Sequence, residues 1–176
     1  MVDRFYTPKR LARRIVYHYA SELRPMRGYA LEPSSGGGSF AEPLSELTRV
    51  LCLDTDPDAS YPALCTDYLS WTPREAPRAV IGNPPYSLAR EFVEHSYQVA
   101  HRGAPIVFLL RLAFLESVKR RTLWETMRPF HVYVLTPRPS FTGKGTDATA
   151  YAVFEWRAGM NPRTIELDWM HNEGRW

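Results

Sequence analysis

Several things are scarce in this chain, and each scarcity closes off a class of protein. There are only two cysteines, Cys52 and Cys65, in 176 residues. Both sit inside apolar strand-like runs, so they read as small core residues in a reducing compartment, and the cytoplasm is the expected location. A disulfide scaffold is excluded. No cysteine and histidine pair has zinc-ligand spacing, so no metal site is expected. No apolar run is long enough to span a bilayer, and Met1-Val2-Asp3-Arg4 lacks the apolar core of a signal peptide. Neither charge sign dominates: the net charge is +3 with a pI near 8.9, which permits a polyanionic partner without demonstrating one. No internal repeat is visible.

What is present is enough for one globular domain. Hydrophobic residues make up 44% and charged residues 23%, which excludes a disordered chain. A single domain over 1–176 is expected, with an N-terminal helix and covering segment at 1–28, a sheet at 29–156 and a tail at 157–176.

The chain is organised around Ala79-Val80-Ile81-Gly82-Asn83-Pro84-Pro85-Tyr86. An apolar run stops at two prolines, which fix φ twice and remove two backbone donors, so a strand must end there. Such a turn holds the Asn83 carboxamide, the Pro84 carbonyl and the Tyr86 ring at the carboxyl end of a strand, where open α/β sheets bind ligands. A chance Asn-Pro-Pro-aromatic match in such a chain has a likelihood on the order of 10⁻³.

In chain order, Thr7 is a helix N-cap candidate and Pro8 suits the first helical position. Leu11, Ile15, Tyr19 and Leu23 share one face of that helix, and Pro25 ends it. Arg10, Arg13, Arg14 and Tyr17 lie on the other face, read equally as solvated or as phosphate-contacting. A short strand, Tyr29 to Glu32, leads into Pro33-Ser34-Ser35-Gly36-Gly37-Gly38-Ser39-Phe40 and a short helix. Glycines between a strand and a helix let a ligand approach the backbone. Two further strands end at Asp54 and at Asp67-Tyr68. Asp54 follows Gly36 at about the spacing of a ribose-binding carboxylate. After the Asn-Pro-Pro-Tyr turn come a helix capped by Ser87, a fully apolar strand from Pro105 to Leu110, a helix from Leu115 to Arg128, and strands at Phe130 to Leu135 and Ala150 to Trp156. A long loop carrying Arg138, Phe141 and Lys144 separates the last two, and Thr164 to Leu167 could add an edge strand. Alternating strands and helices make a doubly wound, mainly parallel sheet, with the final pair giving an antiparallel edge strand.

From about residue 5 to 156 the chain resembles the S-adenosylmethionine-dependent N6-adenine DNA methyltransferases, most closely the small versions carried by phages and prophages. The resemblance rests on Phe5-Tyr6-Thr7-Pro8, Glu32-Pro33-Ser34-Ser35-Gly36-Gly37-Gly38-Ser39-Phe40, Asp54, Asp67, Asn83-Pro84-Pro85-Tyr86 and Phe141-Thr142-Gly143. It implies a Rossmann-like methyltransferase fold with S-adenosyl-L-methionine as cofactor and DNA as partner. RNA is not excluded as a partner, and a homodimer is allowed. By the same resemblance, Phe5, Thr7 and Pro8 would cover the methionine end of the cofactor and Glu32 would meet its ammonium. Gly36 and Gly38 would let the backbone pass close. Asp54 would accept from the ribose, Asp67 from the adenine amino group, and Tyr68 would pack on the adenine ring; Phe40 reads as core. Asn83, Pro84, Pro85 and Tyr86 would hold the target amine, and Arg138, Phe141 and Lys144 would touch nucleic acid. The competing readings are an RNA adenine or guanine amino methyltransferase, a protein glutamine methyltransferase, a nicotinamide dehydrogenase using the glycine loop, and a non-catalytic binding module.

Overall fold

A computed structural model describes residues 7–141 and 147–171. The core is an eight-stranded sheet in the order β3-β2-β1-β4-β5-β7-β6-β8. Its strands are β1 (Ala30–Glu32), β2 (Val50–Asp54), β3 (Leu64–Cys65), β4 (Ala79–Gly82), β5 (Pro105–Arg111), β6 (His131–Thr136), β7 (Tyr151–Arg157) and β8 (Glu166–His171). All neighbours pair in parallel except β7, which runs antiparallel to both β5 and β6. The expected antiparallel strand is therefore present, and it is inserted between β5 and β6. The edge beyond it is β8, formed from the tail and paired in parallel with β6 from His131 to Thr136.

Strand periodicity splits the core into two layers. In β5, Val107 and Leu109 face the side covered by α1 (Lys9–His18), α2 (Ala20–Leu23) and α3 (Ala41–Ser45). Ile106, Phe108 and Leu110 face the side of α4 (Ala89–Val99) and α5 (Arg121–Thr126). Every residue from Pro105 to Leu110 is buried, as its unbroken apolar run requires of a central strand covered on both faces. Leu11, Ala12, Ile15 and Val16 bury the apolar face of α1. Its other face is tied down by ion pairs: Lys9 Nζ donates to Glu42 at 2.8 Å and Arg13 Nη1 to Glu46 at 2.6 Å, with the Tyr17 hydroxyl also on Glu46. Lys9, Arg13 and Tyr17 thus fasten α1 to the short helix after the glycine loop.

Four local expectations need correcting. Helix α1 starts at Lys9 with Pro8 in the cap position, and Thr7 makes no cap, because its hydroxyl is used elsewhere. The stretch from Leu115 to Arg128 is not one helix. A 3₁₀ turn at Leu112–Leu115, another at Val118–Arg120 and the six residues of α5 replace it. Ser87 does not cap α4; Tyr86–Leu88 forms a 3₁₀ turn that leads into it. Cys65 is exposed while Cys52 is buried, because the two-residue β3 is an outer strand with both side chains open to solvent. No helix among the described residues is long and apolar enough to cross a membrane.

Candidate active site

Strand order turns four separate sequence signals into one line. Because β2, β1, β4 and β5 are neighbours, the carboxyl ends of these strands bring Asp54, Glu32, Asn83 and Arg111 side by side along one edge of the sheet.

The glycine loop after β1 is a tight turn. Gly36 and Gly38 have φ of +48° and +76°, values that L side chains rarely adopt. Gly38 donates to the Ser35 carbonyl at 2.7 Å, and a Cβ at Gly38 would fall 2.2 Å from Cδ2 of Tyr61. The Asp54 carboxylate closes the loop from β2. It accepts from the Gly36 N–H at 2.7 Å and from the Asp56 N–H at 2.9 Å.

Glu32 is 2% exposed, and its Oε2 has no hydrogen-bond partner among the described residues. Burial pushes its carboxyl well above the ordinary range, against the backbone hydrogen bond from Ala41. Ser35 Oγ is likewise buried without a partner. A buried acceptor left open beside a glycine loop could take a cationic group.

Asn83 is fixed from several sides. Its Nδ2 donates to Thr7 Oγ1 at 3.0 Å, and its backbone carbonyl accepts from Ser34 Oγ at 3.2 Å. Thr7 is itself 5% exposed and its carbonyl accepts from Ser39 Oγ at 2.7 Å. The segment before α1, the glycine loop and the Asn-Pro-Pro-Tyr turn therefore form one hydrogen-bonded unit.

Tyr86 follows Asn83 in the same turn, and burial raises its hydroxyl pKa. The Arg111 guanidinium lies over its ring at 5.0 Å from the centroid, and Tyr151 packs at 5.9 Å. Phe141 continues the aromatic row, 4.8 Å from Tyr151.

Of the other expected site residues, Tyr68 sits differently from its sequence reading, and Asp67 and Arg138 are exposed. Tyr68 is 1% exposed; its hydroxyl pairs with Ser96 Oγ at 2.8 Å and its ring meets Phe92 and His95. It offers no ring face to an adenine, and the hydrophobic demand of the layer under β4 explains why. Asp67 is exposed and caps the 3₁₀ turn at Tyr68–Ser70 through the Leu69 N–H at 3.0 Å. Arg138 donates to the Ala148 carbonyl at 2.7 Å, across its own loop. Phe5 and Lys144 lie outside the described residues. Pro8 sits at the start of α1, and Pro84 and Pro85 complete the turn after Asn83.

Sequence reasoning gave no role to Arg120 or Tyr61 at this edge, and it left Arg111 without one. Arg111 carried a signal, a cation closing an apolar strand at its carboxyl end. Arg120 and Tyr61 are brought in by tertiary contacts that no local pattern marks. A cavity of about 890 Å³ along β2 and α3 is lined by none of the predicted site residues.

No protein-family model and no curated protein matches the chain. Solved structures do match. A "putative RNA methyltransferase" of Pyrococcus horikoshii superposes with a TM-score of 0.72 at 14% identity, covering 90% of this chain and 88% of the other. The 23S rRNA methyltransferase ErmE gives a TM-score of 0.66 at 18% identity, over 90% and 71% of the two chains. The M protein of the type I restriction enzyme EcoKI gives 0.68 at 13% identity, over 89% of this chain and 44% of that one. The fold is thus the Rossmann-like methyltransferase fold, and this chain spans less than half the length of the EcoKI subunit.

Proposed function

We propose that the protein is an S-adenosylmethionine-dependent methyltransferase that acts on the exocyclic N6 of adenine in DNA, with short or relaxed sequence preference. The observation that carries this reading is the Asn83-Pro84-Pro85-Tyr86 turn at the carboxyl end of β4, joined through Thr7 to the glycine loop. The cofactor supplies a methyl group activated on a sulfonium.

The residues fit that group. Glu32 has a buried, open carboxylate oxygen for an ammonium, and the strained turn at Gly36 and Gly38 allows close backbone approach. Asp54 already orders that turn, and it retains lone pairs for ribose hydroxyls.

On the target side, an adenine amino nitrogen is a weak nucleophile because its lone pair is delocalised. Asn83 Oδ1 and the Pro84 carbonyl bind its two hydrogens and turn the lone pair toward the methyl group. With the cofactor bound, the amine so held would accept the methyl group and would give up one of its two protons to solvent. Asn83 is neutral and serves as orienting acceptor, so the gain is preorganisation and alignment. Tyr86 supplies a π-face for the extruded base, worth about 1–3 kcal/mol.

The likeness to phage-borne enzymes rests on the sequence resemblance alone. RNA is the second reading, favoured by the equally good superposition on ErmE. Radiolabelled methyl transfer to duplex DNA, single-stranded DNA, RNA and protein in parallel, with the modified nucleoside identified, tests both. N6-methyladenine in DNA is expected; label in RNA or protein alone would replace the proposal.

A further inference from the structure

On the β5 side of Tyr86 lies a second cavity, of about 290 Å³, lined by Tyr86, Ser87, Leu110, Arg111, Phe114 and Arg120 among others. It shares the Tyr86 ring with the site described above. Its walls are two guanidinium groups and two aromatic rings.

Arg120 is the informative residue. Its Nη1 donates to the Phe114 carbonyl at 3.0 Å, and its guanidinium lies 4.4 Å from the centroid of the Phe114 ring. It belongs to no ion pair among the described residues. Glu91 and Glu116 act on it only through space, and burial opposes its charge more strongly than they support it. A partly desolvated guanidinium with one carbonyl bond keeps most of its five donors for a ligand. Arg111 also lines the cavity, and its guanidinium lies over the Tyr86 ring. Two arginines lining one small space match a tetrahedral oxyanion. The volume lies at the lower end of small-molecule pockets, about 300 Å³, which suits one phosphate with its sugar.

We propose that this cavity receives a phosphodiester of the substrate strand beside the target nucleotide, with Arg120 as its principal donor and Arg111 linking that phosphate to the Tyr86 ring. The inference rests on nucleic acid being the substrate. Gripping a phosphate next to the base fixes register without reading sequence.

The test uses a fluorescent single-stranded oligonucleotide containing one adenine, and copies in which single phosphates are replaced by methylphosphonates. Wild-type binding should weaken about tenfold when the phosphate adjacent to the adenine is neutralised, and little elsewhere. Arg120→Gln should weaken binding about tenfold, lower the slope of log affinity against log salt by about one, and become indifferent to that methylphosphonate. Its affinity for S-adenosylhomocysteine, read by calorimetry, should match the wild type and so report an intact fold. Arg120→Lys should keep the salt slope. Unchanged binding by Arg120→Gln overturns the proposal, and so does undiminished sensitivity of that variant to the methylphosphonate. Inorganic phosphate bound by the wild type and lost in Arg120→Gln, with no methylphosphonate effect, would make this a free-anion site and overturn it too. The methylphosphonate scan needs no variant, so a misfolded Arg120→Gln leaves the decision intact. A wild type that binds no oligonucleotide overturns the substrate reading together with this site; binding that ignores Arg120 overturns this site alone.

Discussion

Glu32 is the residue where stability and binding oppose each other. Its carboxyl is pushed up by burial, so the folded protein prefers it protonated. A group whose folded pKa is raised contributes stability that is full below its unfolded value and lost as pH rises through the folded value. The free protein should therefore lose stability from about pH 4.5 upward. Glu32→Gln should abolish that slope and raise the melting temperature of the free protein near neutrality. The same change should weaken binding of S-adenosylmethionine by about 2 kcal/mol, because a buried cation loses its counter-charge. Melting curves against pH and calorimetry separate the two effects; a pH slope that persists in the variant would remove Glu32 as its source. Wild-type binding above pH 5 should also release a proton, visible as a dependence of the binding enthalpy on the buffer.

Thr7 and Asn83 make a second pair of residue-scale expectations. Asn83→Ala should abolish transfer and spare cofactor binding, since its acceptor acts on the target amine. Thr7→Val keeps the shape of the side chain but removes the acceptor that orients the carboxamide. It should cut the single-turnover rate roughly tenfold, about the worth of one buried hydrogen bond, while Thr7→Ser restores it. Equal rates for Val and Ser would show that Thr7 only packs.

At the scale of elements, the glycine loop is the most constrained piece. Gly38 combines a positive φ with a ring pressed against it. Gly38→Ala should cost about 1–3 kcal/mol in denaturant unfolding and lower cofactor affinity. Adding Tyr61→Ala should recover the steric share and leave the backbone share; a double variant no better than Gly38→Ala would assign the whole cost to φ. Most of this architecture was legible in the sequence, because strands read from period and termination: Pro105 to Leu110 by its unbroken apolar run, β4 by its two prolines. What was not legible depended on partners far along the chain. Tyr68 follows a strand-ending Asp just as a ligand-facing ring would, and only the Ser96 hydroxyl under α4 reveals it as core. Thr7 looks like an N-cap until Asn83, distant in sequence, claims its hydroxyl. The region from Leu115 to Arg128 has no helical stripe of apolar residues, so broken turns replaced the expected helix.

At the scale of the molecule, the question is what remains to read a nucleic-acid sequence. The helices α1 and α3 are stitched to each other by Lys9–Glu42 and Arg13–Glu46, and the tail strand β8 is absorbed into the sheet beside β6. Neither is available as a separate recognition element. Among the described residues of the loop after β6, Arg138 bonds the Ala148 carbonyl and Phe141 packs on Tyr151. Arg111 and Arg120, beside Tyr86, line a cavity suited to a phosphate, and phosphates carry no sequence information. An enzyme built this way should find adenines through backbone charge and base extrusion, discriminating mainly by how easily the base leaves its stack. We therefore expect methylation with short or relaxed sequence preference, faster on single-stranded or poorly stacked sites, and binding that falls steeply between 50 and 200 mM salt. Mapping of methylated adenines by sequencing, after expression in a host without its own adenine methylation, measures the preference directly. Modification spread over many short contexts is the expected pattern. Modification confined to one long motif would mean that sequence is read by a surface with base-edge contacts, supplied by a partner or a second copy, and the phosphate-guided account of specificity would have to be abandoned.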